Sequence, residues 1–479
     1  MIRICVFIVF VFVALSAAGC STLKPPPELD RMWEPPKWEK TTKSNDEVWS
    51  SLRDQKLDSS EPLTLVELID LALQNSPSTR QAWEKARAAQ TRIRQAESKW
   101  YPQATVSTQG TFRKKVTNNS VNDLNQADYT AGSKIQFLIL DFGGRASLVT
   151  EAKQTLLAAN FQFNQAFQDL LLDTESFYYE YYSAFSSVEA AQSDLADATA
   201  TLDAAQQKLQ VGLGVKLDVL QAESDYNNAL YFLEEAKGQL KTAKANLAQV
   251  IGFPAETKFG IAPPTGETPS NIEEQDVSRL IEEALKRRPD IAAARATLRA
   301  RYASLAAANS DLWPTLNVGG STDADEYKYF GSAKNNATKS KRDYGYTAYV
   351  NVSWDIFDGF YLYSKRNEAK ALADAQREEL RQTELAASTD VWTKYYNLKT
   401  EISKLKYSKA FLKSAEESYN LAFAGYGAGI KSILDLLQSQ SQLSNARSKF
   451  IQSRKDAFVA FAELGHATGS LNVKDVETE

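Results

Sequence analysis

Residues 346–358 read YTAYVNVSWDIFD, and the fold turns on what kind of segment that is. Tyr346, Ala348, Val350, Val352, Trp354 and Ile356 alternate with Thr347, Tyr349, Asn351, Ser353 and Asp355. A period of two belongs to a strand with one apolar and one polar face. The same shape stands at 129–141 as YTAGSKIQFLILD, 217 residues earlier, with Asp141 and Asp358 closing both copies. There Ala131, Ile135, Phe137 and Ile139 oppose Thr130, Lys134 and Gln136. Long strands of this type suit an outer-membrane barrel, with lipid on one face and water on the other. A soluble sheet with one solvated face would alternate in the same way.

The correspondence extends well beyond the strands. LQVGLGVKLDVLQAES (209–224) returns as YGAGIKSILDLLQSQS (426–441) at the same shift of 217. Upstream, the stretch ending WYPQATV (100–106) matches the one ending LWPTLNV (312–318) at a shift of 212, so the second copy carries five more residues between. The chain is therefore two copies of one long unit. The polar segments 113–128 and 321–345 are expected to be loops between paired strands, which run over about 102–113, 128–140, 314–330 and 345–357.

Between strands and glycines the period changes. No proline interrupts Gly144 to Leu209, which at 1.5 Å per residue is about 100 Å of helix. Ala184, Val188, Ala191, Leu195, Ala198, Leu202, Ala205 and Leu209 recur at alternating spacings of four and three, and the seam resumes from Ala222 to Leu247. Leu405, Leu412, Ala415, Tyr419 and Ala422, then Ala446, Phe450, Ala460 and Leu464, repeat it. Gly212 and Gly429 mark the tips of two antiparallel hairpins, with Gly214 and Gly427 in the same turns. The aspartate six residues on, Asp218 or Asp435, can cap the returning helix.

The start reads as an export signal over 1–19: a charged Arg3, an apolar run from Ile4 to Ala18, then Gly19-Cys20. AAGC fits lipidation of Cys20, and Ala17-x-Gly19 also fits ordinary signal cleavage. Residues 20–60 contain proline runs and read as an extended tether. One repeat spans 61–262, a linker 263–274, the second repeat 275–470, and a tail 471–479. With Cys5 removed alongside the signal, a single cysteine remains and no internal disulfide is possible. The lone histidine, His466, reads as a surface or packing residue, so a metal site is not expected. A net charge of −5 argues against a nucleic-acid partner. Neither a nucleophile elbow nor a phosphate-binding loop is present, and neither an enzymatic activity nor a cofactor is expected.

Four strands cannot close a barrel, for which about eight is the practical minimum, and an open edge in lipid is costly. The strands must be pooled between chains. In its AAGC start, its paired WYPQATV and LWPTLNV strand entries, LDFGGR and IFDGF at the strand exits, LAQVIGFP, and the two tips, the sequence resembles the TolC-like outer-membrane factors of tripartite efflux systems, lipoprotein branch. The resemblance covers essentially the whole mature chain. It implies a mainly α chain with a membrane β-barrel, assembled as a homotrimer that forms a twelve-stranded barrel in outer-membrane lipid and a helical barrel reaching into the periplasm. It also implies a passive duct for small molecules, with a periplasmic membrane-fusion adaptor and an inner-membrane transporter of the RND type as partners. Carried onto this sequence, Tyr426 and Lys431 stand at gate positions, Asp218 at their partner aspartate, and Asp435 at the first position of an anionic ring whose second is Gln438. A Lys431–Asp218 ion pair is expected, worth about 0–1 kcal/mol if exposed. IFDGF lacks the second glycine of LDFGGR, which puts the second exit turn in doubt. Two other functions remain compatible with parts of the sequence: an outer-membrane duct for type I protein secretion, and a periplasmic coiled-coil scaffold, which would have no use for the strands.

Overall fold

The computed structural model describes residues 62–115, 124–264, 277–331 and 339–471. The signal, Cys20 and the tether lie outside these residues, as does nearly all of the linker and of the tail. Each copy runs through two short helices, a strand pair and a long helical hairpin. In the first copy these are α1 (Leu65–Asn75), α2 (Pro77–Glu97), β1 (Gln103–Lys115), β2 (Leu124–Leu140), α3 (Gly144–Gln210) and α4 (Lys216–Val250). In the second they are α5 (Val277–Arg287), α6 (Pro289–Ser310), β3 (Thr315–Gly331), β4 (Lys339–Ser353), α7 (Tyr361–Gly427) and α8 (Ile433–Thr468).

The strands form one antiparallel sheet in the order β1-β2-β3-β4, so β1 and β4 are its edges. Register aligns the faces across all four. Val106 lies opposite Ser133, Ile135 opposite Gly320, Val318 opposite Val350 and Leu316 opposite Val352. Alternation then gathers Val106, Phe112, Tyr129, Ile135, Phe137, Val318, Tyr344, Tyr346, Val350 and Val352 on one face, where Val106, Tyr346, Val350 and Val352 are at least 67% exposed. Thr105, Ser107, Gln109, Thr130, Lys134, Gln136, Asn317, Asp323, Thr347 and Asn351 share the other face. A bulge between Leu138 and Leu140 breaks the alternation that the sequence carries through Ile139.

β3 lies within a residue of the expected 314–330, whereas β1, β2 and β4 run two to six residues further toward the turns than expected and β4 stops at Ser353, so much of 113–128 and 321–345, expected as loops, is strand. The reason is physical. Beyond Tyr344 the outward face turns polar, where Arg342 lies opposite Glu326 and Ser340 opposite Lys328. In β3 and β4 the ladder continues there among polar residues, with Tyr129 of β2, Phe112 of β1 and Tyr327 scattered over both faces, and this mixed composition imitates a loop.

Both α3 and α7 contain 67 residues, about 100 Å of helix each. Ala191, Ala198 and Ala205 of α3 are buried, as are Leu233, Ala236 and Ala243 of α4, while the larger seam residues Val188 and Leu195 pack around them. In the second hairpin Ala415, Tyr419, Ala422 and Tyr426 interlock with Ile433, Leu436, Leu443 and Ala446. Small residues alternating with large ones bring the helices close. A separate core ties the α4 end to α1. Leu68, Ile69, Leu171, Tyr178, Leu247 and Ile251 are nearly or fully buried together, and Leu63 pairs in parallel with Ile261. Gly252 takes φ +82°, and a side chain there would strike Asn75 O at 2.8 Å, which accounts for the glycine of LAQVIGFP.

Candidate functional site

The two hairpin tips share one backbone design. Leu213 N and Gly214 N donate to Lys208 O, as Ile430 N and Lys431 N donate to Gly425 O, and Gly212 and Gly429 both take φ +76°. This is a helix C-terminal motif with a left-handed glycine. Gly214 and Gly427 lie outside the left-handed region, so only two of the four expected turn glycines are demanded by backbone conformation.

The side chains at the tips differ in a reciprocal way. A Cβ on Gly214 would meet Lys208 at 3.1 Å, and one on Gly425 would meet Lys431 Cγ at 2.8 Å. Each tip thus packs one lysine stem over one glycine, with the roles exchanged: lysine leads into the first turn and leaves the second. Lys208 lies 3.9 Å from the centre of the Tyr426 ring and donates to Tyr426 O. Tyr426 is 3% exposed, its hydroxyl has no hydrogen-bond partner, and burial, with Asp218 adding to it, pushes its phenol up. Within one protomer Asp218 therefore acts on Tyr426. The expected Lys431–Asp218 ion pair is not formed among the described residues; Lys431 is exposed and acts on Asp435.

Asp218 and Asp435 are equivalent by the repeat, but only the second is used as a cap. Ser432 Oγ accepts from Asp435 N at 3.2 Å, and Ser432 N donates to Asp435 Oδ2 at 3.1 Å, a reciprocal capping box. The Ser432 hydroxyl, donating to Asp435 Oδ2 at 2.8 Å, and then the Ser432 N–H hold the Asp435 carboxyl below the usual aspartate range. Val215 occupies the matching cap position and has no hydroxyl, so Asp218 is left for other partners. Gln438 is exposed on α8, one turn beyond Asp435. Around these residues Leu213 and Ile430 are each 81% exposed, with Val211, Leu217 and Leu434 also open.

About 20 Å above the tips, counted along the helices, a polar network joins the hairpins. Arg447 of α8 binds Asp194 and, at 2.8 Å, Asp197 of α3, while Ser444 Oγ donates to Asp194 at 2.6 Å. Two turns below Arg447, Gln440 accepts from Thr201 Oγ1 at 3.0 Å and donates to Asp225 of α4 at 2.6 Å. Burial, then the nearby Asp194 charge, pushes the Asp225 carboxyl up. Sequence reasoning missed this network. Its signal was a polar stripe, Gln440, Ser444 and Arg447, at helical spacing beside an otherwise apolar seam.

The family described as "Outer membrane efflux protein" matches residues 68–253 and 280–470, one segment for each repeat. The chain belongs to this family. Protein CyaE of Bordetella pertussis is 27% identical over 413 residues, covering 85% of each chain. Outer membrane protein TolC of Escherichia coli is 24% identical over 419 residues, covering 86% of this chain and 83% of that one. The structure of the outer-membrane channel OprN, at 20% identity, matches with a TM-score of 0.71 over 85% of this chain and 90% of that one.

The strand exits of this efflux-family chain keep one turn with two different side-chain clamps. In the first copy Asp141 Oδ2 accepts from Arg145 N at 2.7 Å, and Arg145 donates to Leu138 O and Ile139 O, with Trp100 at 4.2 Å from the guanidinium. Arg145 is 4% exposed and clamps the strand end to the start of α3. The second copy has no such arginine. Asp358 caps α7 directly, accepting from Tyr361 N and Leu362 N, and Phe360 takes φ +69° where Gly143 has +95°. Phe142 at φ +50° precedes Gly143 in the first exit and Gly359 at φ +70° precedes Phe360 in the second, so each turn holds one glycine and one phenylalanine in the left-handed region, in swapped order, and each bears the cost of one left-handed non-glycine residue, about 1–2 kcal/mol. His466 lies 2.8 Å from Asp169 Oδ1 and links α8 to α3.

Proposed function

We propose that three copies of this chain assemble into an outer-membrane duct and act as the outer-membrane channel of a tripartite efflux pump, carrying small molecules delivered by a periplasmic adaptor and an inner-membrane transporter. One observation carries the reading: a four-stranded sheet, apolar on one face, polar on the other and open at both edges, opens directly into two helices about 100 Å long, each doubled back at its far end by a partner about 50 Å long. Pairing β4 of one copy with β1 of the next removes every edge and yields twelve strands, which leaves room for an aqueous lumen. The helical wall has matching edges, α4 and α7, which close on each other in the same rotation. The duct carries out no chemistry of its own. Lipidation of Cys20 would fix the N-terminus to the membrane, and no nucleic acid is involved.

The tips act as gate and docking face. Asp218, Tyr426, Lys431, Asp435 and Gln438 converge on the turn ends, and the exposed Leu213 and Ile430 offer an adaptor an apolar foothold. Lys431 has no carboxylate partner inside its own protomer among the described residues, and in the assembly it would reach Asp218 of the adjoining hairpin. Contacts of this strength, about 0–1 kcal/mol each, yield to the binding energy of an adaptor. Asp435 and Gln438 make a ring with one carboxylate per chain. Planar-bilayer recording of the purified protein tests both parts of the reading. A cation-preferring pore of low conductance is expected, and the preference falls in Asp435→Asn, which keeps an acceptor for Ser432. A monomeric protein without conductance in any condition would exclude the duct.

A further inference from the structure

We propose that the groove between α3 and α8 is a binding site for a small aromatic carboxylate, one per protomer. The groove holds a half-open cavity of about 270 Å³ at the level of the seam above the polar network. Tyr179, Tyr182, Phe450, Ile451 and Phe458 supply its walls, and Tyr179 and Phe458 are already stacked within it, 4.6 Å apart and nearly parallel. Flat apolar walls of this kind select flat rings. Glu189, Ser193, Arg447 and Lys455 also line it, and the cation that faces the Tyr182 ring is Arg454. Its guanidinium lies 5.4 Å from the Tyr182 ring and, among the described residues, has no carboxylate at ion-pair distance. The buried or half-buried arginines Arg145, Arg288 and Arg447 each hold at least one aspartate. Lys455, also on the groove, is 3.1 Å from Asp456, which leaves Arg454 as the cation with donors to spare.

A half-buried guanidinium beside aromatic walls presents a planar fork of N–H donors to a carboxylate whose ring lies against tyrosine and phenylalanine. The volume falls just below the range of drug-sized pockets, about 300–1,000 Å³, so the occupant is of the size of one or two fused rings. The site is formed inside a single protomer and goes beyond the duct reading, since it requires neither an adaptor nor a closed barrel.

The test is equilibrium binding of 1-naphthoate to the purified full-length protein in a non-ionic detergent, beside 1-naphthamide and decanoate. Saturable binding of naphthoate at one per protomer is expected, about tenfold tighter than the neutral amide for one charge-assisted contact and tighter than the flexible fatty anion. Arg454→Gln should abolish the difference between naphthoate and naphthamide, and Arg454→Lys should retain part of it. Phe450→Ala should weaken both aromatic ligands together. Equal binding of naphthoate and naphthamide to the unmodified protein would overturn the proposal. So would decanoate binding more tightly, or no saturable site, and these comparisons need no variant to fold.

Discussion

Replacing Arg447 with methionine keeps the length and apolar stem of the side chain and removes its charge. Asp197 loses its side-chain donor and Asp194 keeps only Ser444 Oγ; the two lie three residues apart on α3 and are 23% and 20% exposed. A charge-assisted hydrogen bond contributes about 1.5–3 kcal/mol, and breaking a fully buried pair costs about 3–5 kcal/mol. Partial exposure places this loss near the lower figure, about 3 kcal/mol. The effect is local, because the contact joins α8 to α3 and leaves the core around Leu68 and Tyr178 untouched. Hydrogen exchange read by mass spectrometry should therefore accelerate about 100-fold over the first turns of α8 and the end of α3, and hardly at all in α1. Restoring neutrality with Asp194→Asn and Asp197→Asn in the same chain should recover most of the protection, since the penalty comes chiefly from the stranded carboxylates. An exchange rate that rises less than threefold in the single variant, or a triple variant less protected than the single one, would refute the reasoning.

Ser432→Ala removes the capping box and should cost about 1 kcal/mol, seen as fraying at Ile433–Gln440, while the Asp435 carboxyl moves back up toward its ordinary range in a carbon-detected NMR titration. Because its folded value lies below the unfolded one, the contribution of Asp435 to stability is present above the ordinary aspartate range and is lost as pH falls through the folded value; Ser432→Ala should reduce that acid sensitivity of the α8 start. Tyr426→Phe deletes a buried hydroxyl without a partner in its protomer, so the melting temperature should hold or rise; a fall would mean that an adjoining protomer supplies the partner. Gly319→Ala places a methyl 2.5 Å from the Tyr349 hydroxyl and 2.7 Å from Ile135 O, and since backbone cannot retreat cheaply it should cost about 1–3 kcal/mol, lowering the yield of assembled protein in the membrane fraction.

What the sequence made legible was whatever repeats with a short period. The seam alanines of both hairpins, the strand faces around Val350 and Ile135, and the tip glycines Gly212 and Gly429 each follow from spacing, because a period of two or of three and a half fixes which side of an element a residue faces. The polar ends of the strands were not legible, since near Arg342 and Glu326 the aromatic residues Tyr129, Phe112 and Tyr327 are scattered over both faces and leave no alternating apolar signal. The partners of Asp218 were not legible either. Spacing places a carboxylate on the first turn of α4, but whether it meets Tyr426 or Lys431 depends on how far one hairpin is rotated against the other.

That rotation is where duplication has been turned to use. Two identical hairpins would cap both returning helices alike and carry lysine on the same side of each turn. Here a single shift of 217 sets Val215 against Ser432, Gly214 against Lys431 and Lys208 against Gly425. The first helix start therefore has no reciprocal cap and an aspartate free to act on Tyr426, whereas the second is tied into its own box. An uncapped start frays more easily, by about 1 kcal/mol, so the two tips differ in the cost of displacing their first turns. Above them Gln440 and Arg447 hold the hairpins together about 10 Å and about 20 Å along α8 from the turn. Loosening at the tips would thus run through the seam around Tyr426, Ile433 and Leu436 and meet a fixed point at Gln440 and Arg447.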